Sequence, residues 1–86
     1  MASYRIEWKP SALKELRKLP NDAIGRIVVA VEALKDNPFP HGSRKLAGGR
    51  SSYRIREGDY RVVYTVAAEL LVIEIIRVGH RKNVYK

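Results

Sequence analysis

YRIREGDYRVVYTVAAELLVIEIIRVGHRKNVY, residues 53 to 85, carries the strongest pattern in the chain. Tyr53 and Ile55 alternate with Arg54 and Arg56, so an extended backbone sets both guanidinium groups on one face and the apolar side chains on the other. Gly58-Asp59 reads as a tight turn, Tyr60 to Val66 as a second strand, Ala67 to Glu69 as another turn and Leu70 to Val78 as a third strand. The stretch therefore predicts an antiparallel meander. Arg61 opens its middle strand, and the turn register decides whether it joins Arg54 and Arg56. Beyond Gly79 the chain delivers His80, Arg81, Lys82 and Tyr85 to the end of the sheet. Positive charge beside an aromatic ring is what a polynucleotide surface needs.

Working outward, Tyr4, Ile6 and Trp8 alternate with Arg5 and Glu7, the signature of a strand with one buried face. Pro10 suits a helix start, and Ala12, Leu13, Leu16 and Leu19 form an apolar stripe opposite Lys14, Glu15, Arg17 and Lys18. Pro20 ends that helix. Asn21 or Asp22 then caps a second one, in which Ile24, Ile27, Val28, Val31 and Leu34 recur at helical spacing before Asn37-Pro38. Its β-branched run and Gly25 lower the intrinsic propensity, so packing must hold it, and Ile27 to Val31 as a strand is the alternative. Residues 37–50, NPFPHGSRKLAGGR, read as a loop pinned by Phe39 and Leu46, with His41 a loop residue. The order of elements predicts an α+β fold, one small domain over residues 1–86. The two helices cover one face of a four-stranded sheet, and a basic face opposite stays open.

Composition narrows the function. The 86 residues carry a net charge of +8, from 17 Lys and Arg against 9 Asp and Glu. Residues 44 to 64 hold six basic and two acidic side chains and residues 77 to 86 hold four basic and none acidic, which together equal the whole excess. Such one-sided charge favours a polyanion or an acidic protein partner. There is no cysteine and there are only two histidines, so thiolate and histidine metal clusters are not expected, nor is any cofactor. The most apolar run, Leu70 to Val78, contains Glu74 and is far too short to span a bilayer, which predicts a cytoplasmic protein with no membrane partner.

Taken together, the opening strand, the ALKELRKL helix, Lys45-Leu46, the YRIREGDYRVVY hairpin and the closing RVGHRKNVY resemble the RelE-type toxins of bacterial and archaeal type II toxin–antitoxin systems, within the RelE/ParE superfamily. The resemblance runs over nearly the whole chain. It implies a metal-independent endoribonuclease that cleaves messenger RNA in the ribosomal A site by attack of a 2′-hydroxyl on the adjacent phosphate. It also implies inhibition by a cognate, RelB-like antitoxin with an amphipathic segment, in assemblies that reach a toxin–antitoxin heterotetramer. Position by position, Arg54 and Arg56 match two family lysines, one stabilising the phosphorane and one proposed as base. Arg61 matches a phosphate-binding arginine, Arg81 an arginine proposed to assist the leaving group, and Tyr85 an aromatic residue stacking on a substrate base. A guanidinium stays protonated to about pH 12, so Arg56 is a poor base and a good phosphate clamp. His80 is a further candidate for the proton transfer, since an unperturbed imidazole titrates near 6.5. Arg44, Lys45, Arg50 and Lys82 are candidate RNA contacts.

Each residue also has a plainer role. Arg54 and Arg56 fit a solvated sheet face, Arg61 an ion pair with Asp59 or Glu57, His80 a polar strand end, and Tyr60 and Tyr64 the core. At the level of function, the alternatives are a ParE-like gyrase inhibitor and a catalytically silent basic binding module.

Overall fold

The computed structural model describes residues 3–46 and 52–83. Strand β1, Arg5–Trp8, leads through Lys9 into α1, Pro10–Arg17, and α2 follows as Asn21–Ala33. Pro10 opens α1, where its missing N–H costs nothing. Ala12 and Leu16 are buried, and Pro20 separates the helices. In α2 the stripe Ala23, Ile27, Val31 and Leu34 is at most 1% exposed, so these positions settle the segment as a helix against the strand alternative. Neither expected cap forms. Pro20 takes the N-cap position with no side-chain bond, Asn21 is already helical, and Asp22 sits in the first turn, where its charge suits the helix dipole. The helix unwinds through i→i+3 bonds up to Asp36 N–H on Ala33 O.

The sheet has five strands rather than four, in the order β1-β5-β4-β3-β2. The additional strand, β2, is only Arg44–Lys45, inside the expected loop, and pairs antiparallel with β3, Ser52–Glu57. Two residues carry no periodicity, and a short charged strand suits a sheet edge. β3, β4 (Tyr60–Ala67) and β5 (Val72–His80) form the expected meander, and β1 closes the other side by pairing parallel with β5. Gly58 has φ 61° at the first position of the β3–β4 turn, which a side chain would strain. β5 lies two residues later than expected at both ends. Leu70 and Leu71 look like strand residues, but they belong to the turn, with Leu71 at φ 54°.

One sheet face carries the helices. Between them lie Ile55, Val62, Tyr64, Val66, Ile73, Ile75 and Val78, with Tyr4, Ile6 and Trp8 packed alongside. Tyr64 is fully buried, as expected for a core residue, and its hydroxyl donates to Pro38 O at 2.6 Å. Tyr53 stacks on Tyr64 with centroids 5.9 Å apart, and Phe39 meets Tyr53 edge-on at 4.8 Å. That aromatic chain pins the 37–43 segment. Among the described residues, no helix is long and apolar enough to cross a membrane.

Candidate functional site

Register decides which arginines meet. Arg56 lies opposite Arg61 and Arg54 opposite Val63 across the β3–β4 ladder. β2 sets Arg44 opposite Arg54, while β5 sets Gly79 opposite Arg61 and Arg77 opposite Val63. Residues facing each other across an antiparallel ladder share a side of the sheet. Two adjacent rows on the face away from the helices therefore read Arg44, Arg54, Val63, Arg77 and Arg56, Arg61, Gly79. Val63, between Arg54 and Arg77 in the first row, is only 9% exposed on this open side. Like charges directly opposite one another cost stability, and two such pairs, Arg44 with Arg54 and Arg56 with Arg61, adjoin here. An anion between them reverses the sign of that term.

The guanidinium groups differ in their surroundings. Arg56 is exposed, whereas Arg54 is half-buried and its Nε has no hydrogen-bond partner among the described residues. A buried N–H left unpaired is costly, more so on a charged group, and a phosphate oxygen would satisfy it. Arg61 is 7% exposed; its Nη1 donates to Tyr60 O at 3.0 Å and to Gly58 O at 3.2 Å, which holds it on the hairpin turn. Arg81 is exposed just after β5, and its N–H donates to Asp59 O at 2.8 Å, so it stands beside the same turn. Arg54, Arg56 and Arg61 thus share the open face, and the Arg81 backbone lies beside the hairpin turn at its end. Arg44 extends the row across β2.

Other candidates fall elsewhere. Lys45 is opposite Tyr53, on the side of the sheet that carries the helices. His80 is opposite Tyr60, whose ring it meets edge-on at 5.9 Å, and its Nδ1 accepts Lys82 N–H at 3.2 Å. Its ladder position therefore shares the side of Tyr60 and not that of Arg61. Lys82 is exposed in the turn that follows. Arg50 and Tyr85 lie outside the described residues.

Sequence reasoning missed Arg77. Simple alternation with Ile73 and Ile75 would send it into the core, but Ile76 is an extra residue between the pairs Tyr64–Ile75 and Val63–Arg77. This bulge turns Arg77 to the open row and Val78, 2% exposed, to the core. A groove of about 520 Å³ was equally invisible; Ala30 and Ala33 of α2 and Ile55 line it, together with His41, Arg44 and Arg56.

Residues 6–85 match the family model for the ParE toxin of the type II toxin–antitoxin system, parDE. The chain belongs to the RelE/ParE toxin family. It is 31% identical to toxin RelG of Mycobacterium tuberculosis over 96% of this chain and 97% of that protein. It is also 31% identical to the mRNA interferase toxin RelE of Escherichia coli, over 94% and 86% respectively. The archaeal RelE–RelB complex from Pyrococcus horikoshii superposes with a TM-score of 0.83 at 31% identity, covering 95% of this chain and 99% of that one. Within the family, then, this is a toxin of RelE type, and its five-stranded sheet with two helices on one face is shared with solved RelE structures.

Proposed function

We propose that this RelE-type toxin is an endoribonuclease that cleaves messenger RNA in the ribosomal A site. The observation that carries the reading is the unpartnered, buried Nε of Arg54 within two rows of facing arginines, an arrangement that suits a phosphate. In the proposed reaction the substrate's 2′-hydroxyl attacks the adjacent phosphate and the 5′-oxygen leaves. Arg54 and Arg56 clamp the non-bridging oxygens as charge builds on the phosphorane, and Arg61, braced on the turn carbonyls, fixes a neighbouring phosphate. Arg81 neutralises the leaving oxygen, and Tyr85 stacks on a base. His80, with Nδ1 accepting Lys82 N–H and its ring on the Tyr60 side of β5, takes no proton in this scheme; the 2′-hydroxyl proton passes to solvent water, and the departing 5′-oxygen takes a proton from water. The reaction as drawn uses no metal. Arg44, Arg50, Lys45 and Lys82 hold the RNA of the message or ribosome.

Relatives solved as RelE–RelB complexes support a cognate antitoxin as partner; a heterotetrameric assembly and action in the cytoplasm belong to the same proposal. Primer extension on mRNA held in the A site of purified ribosomes tests the reading. Cleavage within the A-site codon by wild type, lost in Arg81→Ala, is the expected result; no cleavage by a folded protein on ribosomes or naked RNA sinks it. The ParE description of the matching family model supports a second reading, a gyrase inhibitor. Trapped DNA breaks with gyrase, and intact message, would establish that one.

A further inference from the structure

β1 ends too soon to support all of β5. Their parallel pairing stops at Trp8 and Ile75, with a last bond from Lys9 N–H to Ile75 O at 3.0 Å, and the chain then turns at Pro10 into α1. β5 runs on for five residues to His80, and among the described residues no strand pairs with its outer edge there. Along that stretch one side chain replaces the missing strand. Glu15, from the middle of α1, accepts Val78 N–H on Oε1 at 2.9 Å and Arg77 Nη2 on Oε2 at 3.2 Å. The bond to Val78 is charge-assisted and half-buried, which makes it strong for its kind.

The place of this contact gives it weight. It falls directly after the Ile76 bulge, where the ladder is weakest, and directly before Gly79, His80 and Arg81. From the other side the same stretch is held by β4 and by Arg81 N–H on Asp59 O. Two residues, Gly79 and His80, lie between Val78 and Arg81, and three steps along the chain make a lever of roughly 10 Å at about 3.3 Å per residue. Reaction rates fall about a hundredfold when a catalytic group moves by about 1 Å.

We propose that Glu15 is a positioning residue: by holding the Val78 amide it sets where Arg81 meets the scissile phosphate. The inference rests on the ribonuclease reading above and adds a residue that touches no substrate. Single-turnover cleavage on programmed ribosomes would be compared for wild type, Glu15→Ala, Glu15→Gln and Arg81→Ala, with hydrogen exchange at the Val78 amide measured on the same proteins. Glu15→Ala is expected to slow cleavage at saturating toxin by about 10- to 100-fold while half-saturation moves less than about twofold. It should also speed Val78 exchange. Glu15→Gln keeps an oxygen for the amide and should restore both readouts to within about threefold of wild type. If Glu15→Ala does not fold, Glu15→Met keeps the stem, removes the acceptor and carries the same expectations. Full-rate cleavage by Glu15→Ala beside a dead Arg81→Ala overturns the inference alone. So does Glu15→Gln as slow as Glu15→Ala, since the Arg77 ion pair would then be what matters. A wild type that cleaves nothing removes the ribonuclease reading and this inference with it.

Discussion

Tyr64 shows how much a single polar atom contributes to a small core. Its ring is fully buried and its hydroxyl bonds to Pro38 O, so Tyr64→Phe should cost about 1–2 kcal/mol in urea denaturation, chiefly by stranding that carbonyl. Burial pushes the phenol up to about 12 from 10.0, with Ser43 pulling it slightly back. The unfolded chain therefore loses this proton first. The contribution is complete below about pH 10 and is lost as pH climbs toward 12, so the gap between wild type and Tyr64→Phe should close over that window. Leu71 makes the opposite case. At φ 54° it occupies a backbone region that L side chains resist, while its side chain is 39% exposed. Leu71→Gly should stabilise the toxin by about 1 kcal/mol, seen as a higher urea midpoint at unchanged slope. The same residue explains a misread boundary: hydropathy placed Leu70 and Leu71 in a strand, and backbone dihedrals leave no trace in hydropathy.

At the scale of elements, whatever had a period was legible. The alternation of Tyr53 to Glu57 and the helical spacing of Ile24, Ile27, Val28, Val31 and Leu34 made the hairpin, the second helix and the open basic face legible, although Val28 lies exposed and Ala23, outside that spacing, is buried in its place. Arg77 was hidden because one extra residue, Ile76, inverts the alternation after it, and β2 because two residues show no pattern. The family resemblance supplied Arg54, Arg56, Arg61 and Arg81 as candidates, but which of them share a row depends on hydrogen-bond register. The rows themselves yield a prediction. Removing charge from Arg54 relieves its opposition to Arg44 and the cost of its unpaired Nε, so Arg54→Met should leave thermal stability within about 0.5 kcal/mol of wild type or raise it. Cleavage should fall about 100-fold or more in the same variant, measured on programmed ribosomes. A large loss of stability would mean that Arg54 holds the sheet together and not a substrate.

Over the whole molecule, among the described residues, Arg44, Arg54, Arg56, Arg61 and Arg77 line one face of the sheet in a chain whose net charge is +8. If Arg44, Arg54, Arg56 and Arg81 each neutralise a phosphate, binding to single-stranded RNA should weaken with salt at a log–log slope of about −3, and Arg56→Ala should flatten it by about 0.7. Fluorescence anisotropy across a salt series reads both. Topology adds something that charge does not. Arg5 is partnered with Val72, and among the described residues β5 is the strand that pairs with β1. On a ribosome that is making this chain, β1 emerges early and waits, its backbone unpaired, through the synthesis of more than sixty further residues. Contacts of such long sequence separation form late and slowly. The sheet that carries the arginine rows is thus completed only when nearly all of the chain has been translated, so truncated products that stop before β5 lack the pairing that closes it.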